Sequence, residues 1–384
     1  MAERAWLPLT GIRVVDFSLF VPGPFCSSIL ADLGAEVIKV EALGGDPGRR
    51  YIPVQFRTEN RNKRSLALDL KAPQAQAIVQ RLAREADIAL EGFRPGVAER
   101  LGIDHASLRR HNGRLIYCSI SGYGQTGPWC ERPGHDVNYI AAAGALAFPG
   151  QWLKAPSRSS LAIADMAGGS FAAVAVLAAL HETDRTGRGA QLDLSLFEAA
   201  FFWAAMRHGL DPTVDPKAHL FPVNDIFEAA DGKRLTLGIL EEHFWENFVK
   251  AVADLAPDLA ADSFSSDAKR RRNGDALSSR LSELMKQKTA GEWLKLCDDN
   301  DVPVDLCLTP AQAAELEQVV ARKDVAAFAN EKFALFPVHA DGAMGGRLRR
   351  GVPKAGEHSR EILVELGFDD GEIAALLKAG AVKN

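Results

Sequence analysis

The sequence predicts an α/β protein: a Rossmann-like domain on an open, mostly parallel sheet, with a second, smaller helical and hairpin domain. Three observations carry this. Residues 12–17 and 36–40 read as buried strands around a helical apolar spacing over 25–33 that stops at Gly34, and such a strand–helix–strand unit pairs its strands in parallel. Further strand runs and an amphipathic helix continue to about residue 130, after which the spacing turns helical. The length of 384 residues also exceeds what one compact domain ordinarily holds.

Taken in order, Pro22-Gly23-Pro24 ends the first strand. Residues 65–68 and 88–90 are strands around an amphipathic helix over 72–85, and 115–120 is a buried strand ending in Gly122-Tyr123-Gly124. Residues 170–181 and 194–207 are long helices. The apolar run from Phe171 to Leu180 lies between Asp165 and His181; it is too short to span a bilayer and reads as a buried helix. Residues 212–222 are polar and proline-marked, as in a linker, and 230–238 read as a hairpin. Helices follow to about Asn300, most clearly over 277–285. Thr309-Pro310 opens a helix to Arg322, and residues 359–378 hold two short helices around Gly367-Phe368-Asp369. The larger domain is expected to take 1–210 with 330–384, and the smaller one 211–329.

Composition narrows the function classes. A hydrophobic fraction of 47% and a charged fraction of 25% suit a soluble globular protein. A net charge of -5 argues against a nucleic-acid partner. The five cysteines are widely spaced, without a Cys-x-x-Cys, and the histidines show no His-x-x-x-His. That is the pattern of a reducing compartment without a zinc site. The N-terminus has no long apolar core of a signal peptide, and the last residues are no peroxisomal address. A cytoplasmic protein that neither binds nor spans a membrane is expected. The first strand-to-helix turn lacks Gly-x-Gly-x-x-Gly, so a redox dinucleotide is not expected. The helix after that turn still presents its N-terminus to whatever binds there, and such termini favour anions.

His135 in Gly134-His135-Asp136 and Asp165 in Ala164-Asp165-Met166-Ala167-Gly168-Gly169 are the candidate reactive pair, with Glu241 a third acid. An imidazole and a carboxylate supply the two bases that proton transfer at a carbon acid needs, one on each face of the carbon. Each residue also has a plain structural reading. His135 on spacing alone reads as a buried, satisfied histidine, Asp165 as a helix cap, and Glu241 as a first-turn acid of the helix through Phe244 and Phe248.

Several segments in order resemble the class III coenzyme A-transferase and α-methylacyl-CoA racemase family (CaiB/BaiF-like) over most of the chain. They run from Leu9-Thr10-Gly11-Ile12-Arg13-Val14-Val15-Asp16, through Leu30-Ala31-Asp32-Leu33-Gly34-Ala35-Glu36-Val37-Ile38-Lys39-Val40-Glu41 and Asn60-Arg61-Asn62-Lys63-Arg64-Ser65, to Phe93-Arg94-Pro95-Gly96 and Ser121-Gly122-Tyr123-Gly124-Gln125-Thr126-Gly127-Pro128. Gly356-Glu357-His358-Ser359-Arg360 completes the set. The resemblance implies an acyl-CoA thioester as ligand, coenzyme A being part of the substrate, no further cofactor and no metal. It also implies an interlocked homodimer. Coenzyme A carries phosphates, which calls for cations and backbone donors. Lys39, Arg61, Lys63, Arg64 and Arg94 are the candidate phosphate ligands, and Gly122, Gly124 and Gln125 form a loop that a ligand can approach closely.

Within the family, His135 in a Gly-His-Asp segment 30 residues before Asp165 resembles the racemases. The resemblance makes His135 and Asp165 the acid/base pair and Glu241 the support of His135. The function this implies is epimerisation at the α-carbon of a 2-methyl-branched acyl-CoA. Backbone N–H groups at the start of the helix after Asp165 are expected to hold the enolate oxygen. The chain departs from the racemase pattern at His219-Leu220-Phe221-Pro222-Val223-Asn224, before the hairpin, and has Gly92 where an asparagine is usual. The alternatives are a CoA-transferase, which moves CoA between carboxylic acids through an anhydride on Asp165, and a non-catalytic acyl-CoA-binding protein on the same fold.

Overall fold

The structure is a computed structural model and describes residues 5–384. It divides into two compact units: a larger one of the residues up to Ala143 with Ser159–Trp203 and Glu317–Asn384, and a smaller one of Gly144–Arg158 with Ala204–Leu316. The sequence placed these boundaries at 210 and 329. Residues past Leu316 fall in the larger unit because Arg57 pairs with Glu331 at 2.9 Å and Arg61 donates to the Ala334 carbonyl at 2.9 Å. Gly144–Arg158 falls in the smaller one because Asp225 accepts from the Trp152 N–H at 2.7 Å and Asp275 from its indole at 2.8 Å.

The larger unit is built on strands β1 (Arg13–Asp16), β2 (Glu36–Glu41), β3 (Lys63–Leu68), β4 (Ile88–Glu91), β5 (Ile116–Ser121), β6 (Gln191–Ser195) and β7 (Val382–Lys383). They form a seven-stranded sheet in the order β7-β3-β2-β1-β4-β5-β6. Every pairing is parallel except that of β7, which closes the β3 edge antiparallel. Strands β3, β4 and β5 are buried at every position, as parallel strands covered on both faces must be. The order 3-2-1-4-5-6 reverses between β1 and β4, and ligands of such sheets bind outside the carboxyl ends at that reversal. Phe93-Arg94-Pro95-Gly96 directly follows β4, and Gly122 to Gln125 directly follow β5.

Helices α1 (Pro22–Asp32), α2 (Pro53–Asn60), α3 (Asp136–Ala142) and α4 (Ile163–Thr186) surround this region. Pro22 lies in the first turn of α1, so the Pro-Gly-Pro that ends the strand also opens the helix. Helix α4 is 24 residues long and starts before the apolar run read as a helix. Its length and composition alone would let it cross a membrane, but its small residues pack it into the larger unit. A Cβ on Gly169 would lie 2.7 Å from the Pro22 carbonyl oxygen, and one on Gly168 would lie 2.2 Å from Leu196. The side chain at its own N-cap, Ala162, makes no capping bond. Asp136, at the start of α3, does this instead: its Oδ1 accepts from the Ala164 N–H at 2.7 Å and the Asp165 N–H at 3.4 Å.

The sheet's core joins Ile38, Leu66 and Ala89 to Ile78 and Leu82 of the helix Ala75–Glu85, and to Ile362, Leu363 and Ile373 of the two C-terminal helices. The expected helix from Thr309 to Arg322 is instead two, Pro310–Ala313 and Glu317–Arg322, with a turn between them. The smaller unit holds the expected hairpin as Asn224–Glu228 and Arg234–Gly238, with Val304–Leu306 as a third antiparallel strand. Its core packs Trp245, Phe248, Leu281 and Trp293, and the Trp293 indole donates to the Met285 carbonyl at 2.7 Å.

Two stability outcomes follow from how α4 is held. Gly169→Ala forces a methyl against the backbone of α1, and overpacking of this kind costs about 1–3 kcal/mol; a urea midpoint equal to wild type would show that the two helices part freely. Asp136→Ala leaves the first-turn donors of α4 without their acceptor, a cap loss of about 0.5–2 kcal/mol. The same denaturation at neutral pH reads it, and an unchanged midpoint would refute the cap.

Candidate functional site

The candidate site forms where the N-termini of α3 and α4 meet. His135 is the N-cap of α3, exposed, and its N–H donates to Asn138 Oδ1 at 3.0 Å. The next residue, Asp136, grips the backbone of Asp165 in the first turn of α4. His135 and Asp165, 30 residues apart in sequence, are thus joined through one carboxylate. Asp165 is half-buried. The same grip engages the N–H groups of Ala164 and Asp165.

Tyr139, one turn into α3, is where the elements converge. Its hydroxyl donates to the Gly134 carbonyl at 2.6 Å. A Cβ on Gly122 would lie 2.5 Å from that hydroxyl, and one on Gly134 would lie 2.7 Å from the ring. Gly122 therefore makes room for Tyr139. Burial, with the charge of Asp165 and the neighbouring Tyr123, pushes the phenol up to about 12, against the opposing pull of Arg94. Asp165, Arg94 and Tyr123 thus all act on one ring. Tyr123 meets Tyr139 edge-on at 5.2 Å and Trp129 at 5.5 Å, with Phe197 at 5.8 Å. Arg132 caps this aromatic wall over Trp129.

The other residues assigned to ligand binding separate into two groups. Arg94 is exposed on the turn after β4. Gly124 has a φ of +86°, which its lack of a Cβ permits, and the Gln125 N–H donates to the Asp193 carboxylate at 3.0 Å. In contrast, the structure turns Lys39, Arg61, Lys63 and Arg64 inward, toward partners within the protein. Lys39 is fully buried, paired with Asp46 at 2.7 Å and bonded to the Ser18 carbonyl at 3.0 Å. Arg61 pairs with Asp32. Arg64 makes a two-pronged bond to Glu365 at 2.7 Å and another bond to Glu361 at 2.8 Å. Lys63 donates to the Pro24 carbonyl at 2.9 Å, Asn60 Oδ1 at 3.0 Å and Asp16 Oδ2 at 3.4 Å. Burial lowers this ammonium to about 8 against the opposing pull of Asp16.

Glu241 lies in the smaller unit as the N-cap of the helix Glu242–Ala251, exposed and making no capping bond with its side chain. The start of that helix is pinned by its neighbour Glu242, which takes both prongs of the buried Arg270 at 2.8 and 2.7 Å. Sequence reasoning missed Asp136, Tyr139 and Glu59. The first two stand within four residues of His135, but their roles depend on contacts with residues distant in sequence. Glu59 directly precedes the Asn60-Arg61-Asn62-Lys63 motif. It is buried, and burial raises its carboxyl to about 8, with the charge of Asp165 adding to the rise and Lys63 opposing it. No group of His, Cys, Asp or Glu among the described residues has the arrangement of a metal site. A carboxylate such as that of Asp165 can serve proton transfer or nucleophilic attack.

Comparison with known proteins places this arrangement. Residues 9–359 match the family model described as CoA-transferase family III. The chain is 33% identical to human alpha-methylacyl-CoA racemase, covering 96% of each chain. It is 34% identical to the acetyl-CoA:oxalate CoA-transferase of Acetobacter aceti, over 93% of this chain and 95% of that one. A CaiB/BaiF family protein from Brucella suis, solved by crystallography, superposes with a TM-score of 0.82 at 28% identity, covering 94% of this chain and 99% of that one. With the sheet order, the match across nearly the whole chain and relatives of both activities, the protein belongs to CoA-transferase family III, the family of CoA-transferases and acyl-CoA racemases.

Proposed function

We propose that the protein epimerises the α-carbon of a 2-methyl-branched acyl-CoA by two-base proton transfer. The observation that carries this reading is the joining of His135 to the Asp165 turn through Asp136. One group takes the α-proton from one face and the conjugate acid of the other returns a proton to the opposite face. His135 and Asp165 exchange roles with the hand of the substrate. The phosphate-bearing handle of CoA lies along the carboxyl ends of β4 and β5, where Arg94, Gly124 and Gln125 are placed. The aromatic wall of Tyr123, Trp129 and Phe197 faces an apolar acyl group well, since it offers ring surface with few polar atoms.

The enzyme is read as a cytoplasmic homodimer. Its five cysteines are all free thiols, and the helix Leu196–His208 exposes Phe201, Phe202, Trp203 and Met206, apolar surface that a second copy would cover. The second reading is CoA transfer with Asp165 as nucleophile, favoured by the likeness to the acetyl-CoA:oxalate CoA-transferase.

A racemase needs one substrate, because the proton donor and acceptor are both groups of the enzyme. In deuterated water a 2-methylacyl-CoA is expected to take up deuterium at the α-carbon with no free carboxylic acid present. Movement of CoA between acids without such uptake decides for the transferase. Arg94→Ala removes a contact to the non-reacting handle. Loss of a charged hydrogen bond of about 1.5–3 kcal/mol raises KM roughly 10- to 100-fold, with kcat nearly unchanged, as for binding shared by ground and transition states. A fall in kcat at unaltered KM would move Arg94 to the reacting centre.

A further inference from the structure

Two histidines of the smaller unit stand outside the proposed chemistry. His208 is the last residue of the helix Leu196–His208, and its ring stacks on Phe148 at 4.1 Å with 14° between the planes. His219 meets His208 edge-on, at 4.6 Å and 88°, and lies 6.0 Å from Phe148. No hydrogen bond joins the two imidazoles among the described residues. His219 Nε2 is bonded to the Pro149 carbonyl at 2.9 Å, and a carbonyl only accepts, so this nitrogen carries a proton. Phe148-Pro149 is thus clasped by one imidazole that stacks and one that donates. This dipeptide belongs to Gly144–Arg158, part of the chain between α3, which His135 caps, and α4, which carries Asp165. The second anchor of that segment is Trp152, whose N–H and indole are taken by Asp225 and Asp275.

The charged groups around the pair leave a second positive charge unwelcome. Arg207 donates to the His219 carbonyl at 3.0 Å, and Arg271 to the carbonyls of Ala218 and Leu220 at 3.1 and 2.8 Å. The carboxylates on the neighbouring segments are engaged elsewhere. Asp225 holds Gln151 and Trp152, Asp275 holds Trp152 and Lys217, and Asp267 holds Arg271. Asp211 and Asp215, in the loop between the two histidines, accept from the Thr213 and Lys217 backbone. Stacking on Phe148 favours a charged His208 by cation–π attraction. Burial opposes that charge first, then His219 and Arg207, and the balance holds His208 below the ordinary histidine value.

We propose that His208 and His219 form a pH-sensitive latch on the segment that joins the helices of His135 and Asp165, holding Phe148-Pro149 while both imidazoles are neutral and releasing it on protonation. Two positive rings in contact, beside Arg207, repel each other, and such a pair titrates as a unit. The unfolded chain takes the His208 proton more readily than the folded one. The stability that the latch contributes is therefore complete above about pH 6.5 and is lost as pH falls below it. The Trp152 anchor is held by carboxylates, which stay ionised through this range, so release is confined to the Phe148 end. The inference is independent of the reaction proposed above.

Hydrogen exchange of the full-length protein tests the latch, at about pH 7.5 and about pH 5.5, either side of the ordinary histidine value, with rates corrected for the intrinsic effect of pH. Peptides over 144–150 and 209–219 are expected to lose protection at the lower pH, while the hairpin of Asn224–Glu228 and Arg234–Gly238 keeps it. His208→Phe retains a stacked ring that takes no proton, so its protection is expected to be the same at both pH values. A second measurement covers a variant that folds poorly. In the nitrogen-15 spectrum of labelled histidines, His219→Gln keeps a donor for Pro149 but removes the ring charge, and the His208 midpoint is expected to rise. Equal protection of wild type at both pH values, the same loss in His208→Phe, or a His208 midpoint unmoved by His219→Gln each overturns the proposal.

Discussion

The Asp136 carboxylate is the constraint on which the site depends. It accepts from the backbone at the start of α4 while standing at the start of α3. Two helix N-termini that would otherwise present unsatisfied N–H groups are thereby held against each other. Because His135 is one residue before Asp136 and Asp165 is itself one of the donors, a single capping interaction ties the backbone at His135 to the backbone at Asp165. Separate, rigidly held acid and base groups are what two-sided proton transfer needs, and helix termini hold them more rigidly than a free loop would.

A buried charge network joins the first three strands. Asp16 is bonded to Ser18 and Ser27 and faces Lys63 and Lys39. Burial alone would raise its pKa, but the two lysines and the hydroxyls together hold it below the usual carboxylate value. Lys39 is paired with Asp46, while Glu41 takes Arg49 at 2.8 and 2.7 Å. Buried pairs of this kind contribute little net stability over apolar packing, yet losing one partner is severe. Their effect here is to tie β1, β2 and β3 to one another and to the helices at their ends.

Much of the fold was legible because the central strands are mostly apolar. The runs over 36–40, 65–68, 88–90 and 115–120 can only be buried, and each became a strand of the parallel sheet. Strand β6 escaped notice because Gln191-Leu192-Asp193-Leu194-Ser195 alternates in polarity, as an edge strand does, and runs straight into a helix. The full length of α4 was hidden because its first turn carries Asp165 and takes its cap from a residue on another helix. The cations of the Asn60-Arg61-Asn62-Lys63-Arg64 motif looked like surface charges waiting for phosphate. Their partners Asp16, Asp32, Glu361 and Glu365 are far away in sequence, and no local pattern reveals such pairings. Of the residues assigned to phosphate, Arg94 remains exposed, and its Pro-Gly turn after a strand was the one local cue to that placement.

The measurement that bears most directly on the two-base account is α-proton wash-out from each hand of a 2-methylacyl-CoA, in His135→Ala and in Asp165→Asn. If each residue serves one face, His135→Ala retains wash-out from the hand that faces Asp165, and Asp165→Asn retains it from the other. Inversion should fall in both by about 10²–10⁴-fold, the usual cost of losing a general acid or base. His135→Ala acting at nearly full rate on both hands, with Asp165→Asn inactive and an acyl adduct on Asp165 trapped by hydroxylamine, would contradict the account and make Asp165 a nucleophile.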